Sequence, residues 1–203
     1  MGNDQEKLSQ FLLPQCVEAV HGWLHEGGLR LRITRSRSSK LGDFRGAVPG
    51  QAPVISLNGD MNKYTFFVVF VHEYAHFLVW KRYSHRAKPH GREWKTVYTD
   101  LMIPFLTAGF FPSELLFALK RYFINPLASS GTDLQLTRLL KTFDAPSSKI
   151  TIEDIAPNAT FSLPDGRHFR KIQQLRKRYK CICLGNNRLY LFHPLVEIIP
   201  ADA

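Results

Sequence analysis

The run Val68-Val-Phe-Val-His-Glu-Tyr-Ala-His-Phe-Leu-Val-Trp80 constrains this chain more than any other stretch, because it sets His72, Glu73 and His76 into an otherwise apolar segment. The pattern predicts a helix. Histidines four apart on an α-helix lie about 40° apart around the axis and one turn apart along it, so both imidazoles reach a single metal ion. Chance would place HExxH in roughly one chain in a hundred of this composition, so the motif is informative. A core helix that buried His, Glu and His without a metal would carry a considerable desolvation cost, and metal binding offsets it. In a catalytic zinc site the glutamate directly after the first ligand is not a ligand; it takes a proton from the attacking water and passes it to the leaving amine.

Such a site uses three protein ligands and keeps a fourth position open, so a third ligand is needed downstream. The spacing that would put a histidine at position 82 fails, because Arg82 stands there and Val79 replaces the glycine three residues before it. Two candidates remain in Lys88-Pro-His-Gly-Arg-Glu-Trp94: His90, giving three histidines, and Glu93, giving two histidines and a glutamate. Pro89 and Gly91 suit a tight turn at the mouth of the next helix, which favours His90.

HEYAH followed by HGREW resembles the SprT-like metalloprotease family, whose pattern is HExxH and then HGxxW or HGxxF. The resemblance implies His72, His76 and His90 as Zn2+ ligands, Glu73 as general base, and an α+β, zincin-like fold of the minigluzincin type with a small sheet. It reaches into the run Ser36 to Arg45 and the segment Ile55 to Asn58, which look like the strand region ahead of the active helix in that family. The C-terminal tail, from Phe169-Arg-Lys to Phe192-His-Pro, is similar too, so the likeness covers nearly the whole chain.

Taken in order, the chain predicts a first helix from about Pro14 to Glu26, with Pro14 in its first turn and Gly27-Gly28 ending it. Leu29-Arg-Leu-Arg-Ile33 alternates with period two, the signature of a strand with one face in water. Ser36 to Gly50 reads as turn and irregular loop, and Ala52 to Leu57 as a second strand. Pro53 suits an edge position, so this second strand is expected to be the sheet edge along which a peptide substrate adds its backbone. The metal helix runs from near Asn62 to near Tyr83, and a third helix starts near Gly91. On it Trp94 and Tyr98 share the side His90 approaches; Tyr98 is either an oxyanion stabiliser at the metal or a half-buried packing residue. Helices over Pro112 to Ile124 and Thr132 to Phe143 complete a core spanning residues 1–145, with Ala145 to Lys149 as linker.

Residues 146–203 read as a short C-terminal antiparallel β appendage, with strands at His168 to Ile172, Tyr179 to Leu184 and Leu189 to Phe192. Between Pro157 and Tyr190 eight Lys and Arg residues stand against one acidic residue, Asp165. With a net charge of +10 this favours acidic partners, and basic residues interleaved with Phe169 and Tyr179 fit a nucleic-acid surface contacting phosphates. The family resemblance adds DNA-associated proteins as a substrate class. Members with a zinc ribbon at this end carry two cysteine pairs, whereas this chain has Cys181 and Cys183 alone, so a metal-free hairpin is expected even with His193 nearby. Three cysteines (Cys16, Cys181 and Cys183) make no disulfide framework, and no apolar segment is long enough to span a bilayer; both observations point to a cytoplasmic protein. The readings that compete with a protease are a DNA-binding or scaffolding protein with a structural zinc, and a zinc hydrolase acting on another bond. Oligomeric state is not written in the sequence.

Overall fold

In the computed structural model, which describes residues 2–37, 40–127, 133–146 and 149–201, the chain divides into two compact units, Met1–Ala145 and Pro146–Ala203. The expected linker at Ala145 to Lys149 lies partly outside the described residues, as does Thr132, the first residue of the helix expected there. The fold is mixed α+β, with six described helices and two sheets. Among the described residues no helix is long and apolar enough to cross a membrane.

The first unit opens with α1 (Gly2–Ser9), which the sequence reading missed, and α2 (Pro14–Gly27). Pro14 starts α2, whose N-terminal N–H groups need no helical partner. Gly28 stops it in the left-handed conformation, at φ 56°, where a side chain would be strained. β1 (Arg30–Thr34) follows, then β2 (Gly42–Arg45) and β3 (Val54–Asn58). These form a sheet in the order β1-β3-β2, β1 parallel and β2 antiparallel to β3. One face carries the rows Leu31, Ile55, Phe44 and Ile33, Leu57, Gly42; the other carries Arg30, Val54, Arg45 and Arg32, Ser56, Asp43.

This order overturns the expected edge. Ala52 to Leu57 contributes the central strand, and the edges are β1 and β2, the latter a segment the sequence presents as loop. Pro53 is tolerated because it precedes β3: its carbonyl accepts the N–H of Arg30 at 2.9 Å, and its missing N–H falls outside the ladder.

α3 (Lys63–Tyr83) runs through the middle of the unit, buried continuously from Phe66 to Ala75. Apolar on every side, it is a core helix rather than an amphipathic one. Its start is fixed by Asn62, whose Oδ1 accepts the N–H groups of Tyr64 (3.0 Å) and Thr65 (2.9 Å), while its Nδ2 donates to the carbonyl of Leu140 at 2.8 Å. A 3-10 turn, Ser84–Arg86, leads to α4 (Arg92–Thr107), α5 (Ser113–Phe123) and α6 (Leu134–Lys141). α5 buries Leu115, Ala118, Leu119, Tyr122 and Phe123, the three- and four-residue spacing of one helix face.

The second unit is more than a hairpin. The expected strands appear as β6 (His168–Gln174), β7 (Tyr179–Cys183) and β8 (Leu189–Phe192), joined by β4 (Ile150–Thr151), β5 (Thr160–Ser162) and β9 (Glu197–Pro200) in a six-stranded sheet ordered β4-β9-β5-β6-β7-β8. Its core holds Ile152, Phe161, Phe169, Tyr179, Cys181, Cys183 and Ile198. Both thiols are buried in that core, and burial pushes the Cys181 thiol up to about 11.

Lys171 is buried in the same core, only 4% exposed. Its Nζ donates to the carbonyls of Ile152 (2.9 Å) and Ile155 (2.6 Å) and lies 4.1 Å from the centre of the Tyr179 ring. Lys171→Met keeps the volume but strands two carbonyls, so it is expected to destabilise this unit by about 1–3 kcal/mol. Urea unfolding followed by amide exchange in β6 would read that loss.

Candidate metal centre

The cleft of the first unit has α3 as its floor. Val69, His72, Glu73, His76, Val79 and Trp80 fall three, one, three, three and one residues apart, a single stripe along one helical face, and all line a cleft of about 600 Å³. One wall is Lys40 to Phe44, leading into and through β2. The other is the Ser84 to His90 connection, with Ala87, Lys88 and Pro89.

β2 comes close to the helix at Gly42, which carries no side chain where it meets Val69 and Glu73. A Cβ at Gly42 would stand 2.7 Å from Leu57, 2.8 Å from Val69 and 3.0 Å from Cγ of Glu73, and one at Gly46 would stand 2.7 Å from the Trp80 ring. The strand therefore lies flush on Glu73. Its Phe44 backbone N–H donates to the Glu73 carboxylate.

His72 and His76 come from successive turns of α3. His90 comes from a tight turn in which the Gly91 N–H donates to the Lys88 carbonyl at 2.9 Å. His90 itself takes the left-handed conformation, φ 57°, which is uncommon for a residue with a side chain and directs its ring at the other two. The Nε2 atoms lie 3.2 Å apart for His72 and His76, 2.9 Å for His76 and His90, and 3.3 Å for His72 and His90. Ligand nitrogens held about 2.0–2.1 Å from a tetrahedral ion are about 3.3 Å apart, so the triangle is close to one face of such a tetrahedron. Glu93, in the first turn of α4, stands outside this cluster.

Trp94 backs the triad, its ring 4.6 Å from His72, 5.3 Å from His76 and 4.7 Å from His90 between centres. Behind it Tyr98 is fully buried, and its hydroxyl donates to the Val68 carbonyl at 3.2 Å. Its ring packs 4.9 Å from that of Trp94 and 5.4 Å from that of His72, and it does not line the cleft.

Burial dominates the electrostatics. It pushes His72 down to about 3, with His76 and His90 adding to the effect, and His76 down to about 4, with His90 adding. Burial lowers His90 as well. All three rings are neutral at pH 7, with lone pairs available for a cation. Burial, and then the charge of Asp43, push Glu73 up to about 7; the Phe44 N–H and the charges of Lys40 and Arg37 pull the other way.

In the metal-free protein Glu73 therefore opposes the fold as it ionises. A carboxyl with a raised folded-state pKa contributes stability below about pH 4.5, its ordinary value, and loses it as pH rises through about 7. Metal-free Glu73→Gln is accordingly expected to melt at a higher temperature than metal-free wild type at pH 8, by an amount that shrinks toward pH 5. Thermal melts at the two pH values would show the difference narrow.

The sequence leaves Asp43, Asp60 and Asp100 as equal candidates for a carboxylate partnering the site, and does not single out the one that lies beside Glu73. Asp43 on β2 bonds Arg37, Lys40 (3.3 Å) and Arg45 (3.2 Å). Burial disfavours its charge, yet the hydrogen bonds from Arg37 and Lys40 prevail and hold it below the usual carboxylate range. Arg37 also donates to the Asn58 side chain at 2.8 Å and to the Ser56 carbonyl at 3.2 Å, tying the segment ahead of β2 to β3. The available signal was weak: Gly42 and Gly46 bracket Asp-Phe-Arg, which reads as turn chemistry. No family model matches this chain, and neither a curated protein nor a solved structure matches it.

Proposed function

We propose that this protein is a zinc-dependent metalloendopeptidase of the SprT-like type, built on a zincin-like core. The observation that carries the reading is the convergence of the three Nε2 atoms within 2.9–3.3 Å of one another, with a buried glutamate next to the first of them. His72, His76 and His90 would hold the metal. A zinc ion there supplies Lewis acidity toward a carbonyl oxygen and lowers the pKa of water.

The chain's own residues do the rest. Glu73 accepts a proton from the attacking water at its carboxylate and delivers it to the departing nitrogen, so the glutamate ends as it began. A group with a pKa near the working pH is suited to both transfers. Phe44 N–H orients that carboxylate, Trp94 fixes the imidazoles, and the edge of β2 offers backbone hydrogen bonds to an extended substrate. A purely structural zinc would have no use for a base at position 73 or for an open cleft beside it. Free thiols at Cys16, Cys181 and Cys183 agree with a reducing, cytoplasmic setting. The basic strands of the second unit agree with a phosphate-bearing partner such as DNA, which would bring DNA-associated proteins within reach.

The reading is tested with an unfolded protein such as casein. Mass spectrometry should show internal fragments that vanish on adding a chelator and return with zinc. Intact casein under every condition would move the structural-zinc reading ahead.

A further inference from the structure

The cleft has chemically different ends, and what they imply for substrate choice rests on the peptidase reading. From Val69 to Trp80 the floor rises eleven residues along α3, about 16 Å, the span of roughly five residues of extended peptide. Glu73 and the histidines sit between the ends, so side chains on the two sides of a cut bond meet different surfaces.

At the Val69 end the wall is Lys40 and Leu41. Three cations, Arg37, Lys40 and Arg45, share the single carboxylate of Asp43, which leaves two positive charges unbalanced there. Asp43 is 14% exposed and already holds all three, whereas the Lys40 side chain is 43% exposed and lines the cleft with donors to spare. Lys88 stands on the facing wall, between Ala87 and Pro89. At the Trp80 end the surface is apolar: Val79, Trp80, Ala87 and Pro89 line it with Phe44, whose ring lies 5.8 Å from that of Trp80.

We propose that this cleft selects extended peptides that place a carboxylate side chain against Lys40 and a large apolar side chain against Trp80 and Phe44, one on each side of the bond that is cut. Asp43 is then a positioning residue, which holds Lys40 at the rim while cancelling only part of the local charge. The β2 edge along the cleft pairs with a peptide backbone and not with that of a polynucleotide, which is why an acidic peptide is the better match.

The test uses the full-length, zinc-loaded Glu73→Gln protein and a pair of fluorescent peptides identical but for Glu or Gln at the acidic positions, each with one Phe. Anisotropy should show the Glu peptide binding about 3–10-fold more tightly, with the gap closing as salt is raised. Lys40→Gln should abolish the gap, Lys40→Arg should retain it, and Lys120→Gln on α5 should not alter it. Trp80→Ala should weaken both peptides alike. Equal binding of the two peptides, or a gap that survives Lys40→Gln, overturns the proposal, as does an oligonucleotide that displaces the Glu peptide while Trp80→Ala leaves peptide binding unchanged. Turnover by the unsubstituted protein separates the two claims. A binding gap without cleavage of either peptide leaves the selectivity standing and removes the peptidase reading; cleavage of both at equal kcat/KM removes the selectivity alone.

Discussion

Glu73→Gln is expected to keep one zinc per chain and to lose cleavage, with kcat falling by roughly 10²–10⁴-fold, the range a positioned general base supplies. Glutamine preserves the volume and can still accept the Phe44 N–H through its amide oxygen, so β2 should stay on the helix. What it lacks is a site for the proton. The substitution also removes a buried ionisable group, so lower activity should accompany a metal-free fold that is no less stable, a combination that damage to packing would not produce. Metal analysis, melting and initial rates on one preparation separate these outcomes. A variant that loses its zinc would instead mark Glu73 as a ligand.

His90→Gly is expected to weaken zinc binding by more than the roughly 10–100-fold that outlying partners of metal ligands cost, and to remove cleavage with it. Glycine is the informative replacement because His90 sits at φ 57°, where glycine is unstrained. The Lys88 to Gly91 turn should therefore survive, and lost affinity can be assigned to the missing imidazole. Glu93→Gln, in the first turn of α4 and outside the triad, is expected to bind zinc as before. Competition titration against a chromogenic chelator measures all three proteins. If His90→Gly bound zinc normally and Glu93→Gln did not, the ligand set would be two histidines and a glutamate.

The helix that carries His72 and His76 was legible because its information is local: a long apolar run, a four-residue histidine spacing and the Asn62 cap all act within one element. The turn that brings His90 beside them was legible for a similar reason, since Pro89 and Gly91 announce it. β2 was not. Gly-Asp-Phe-Arg has little strand propensity, and it becomes a strand only because β3 pairs with it and because the bare Gly42 lets it lie against Val69 and Glu73. The misplaced edge follows from the same omission. With β2 read as loop, Ala52 to Leu57 had one neighbour and Pro53 seemed to mark an edge, whereas the proline stands just outside a central strand. Asp43 was invisible as a cleft residue because its partners, Arg37, Lys40 and Arg45, look like ordinary surface charges until the sheet gathers them. In the second unit the longer strands showed their alternation, while β4, with two residues, and β5, with three, are too short to carry any period.

The central claim, that the three histidines and Glu73 form a zinc peptidase centre, is tested most directly by stripping the metal and titrating zinc back while following cleavage of a quenched fluorescent peptide. The rate should be negligible without metal, rise in proportion to added zinc and level off at one zinc per chain. A chain that takes up one zinc and still cleaves no peptide, or one that cleaves equally well when stripped, would contradict the account.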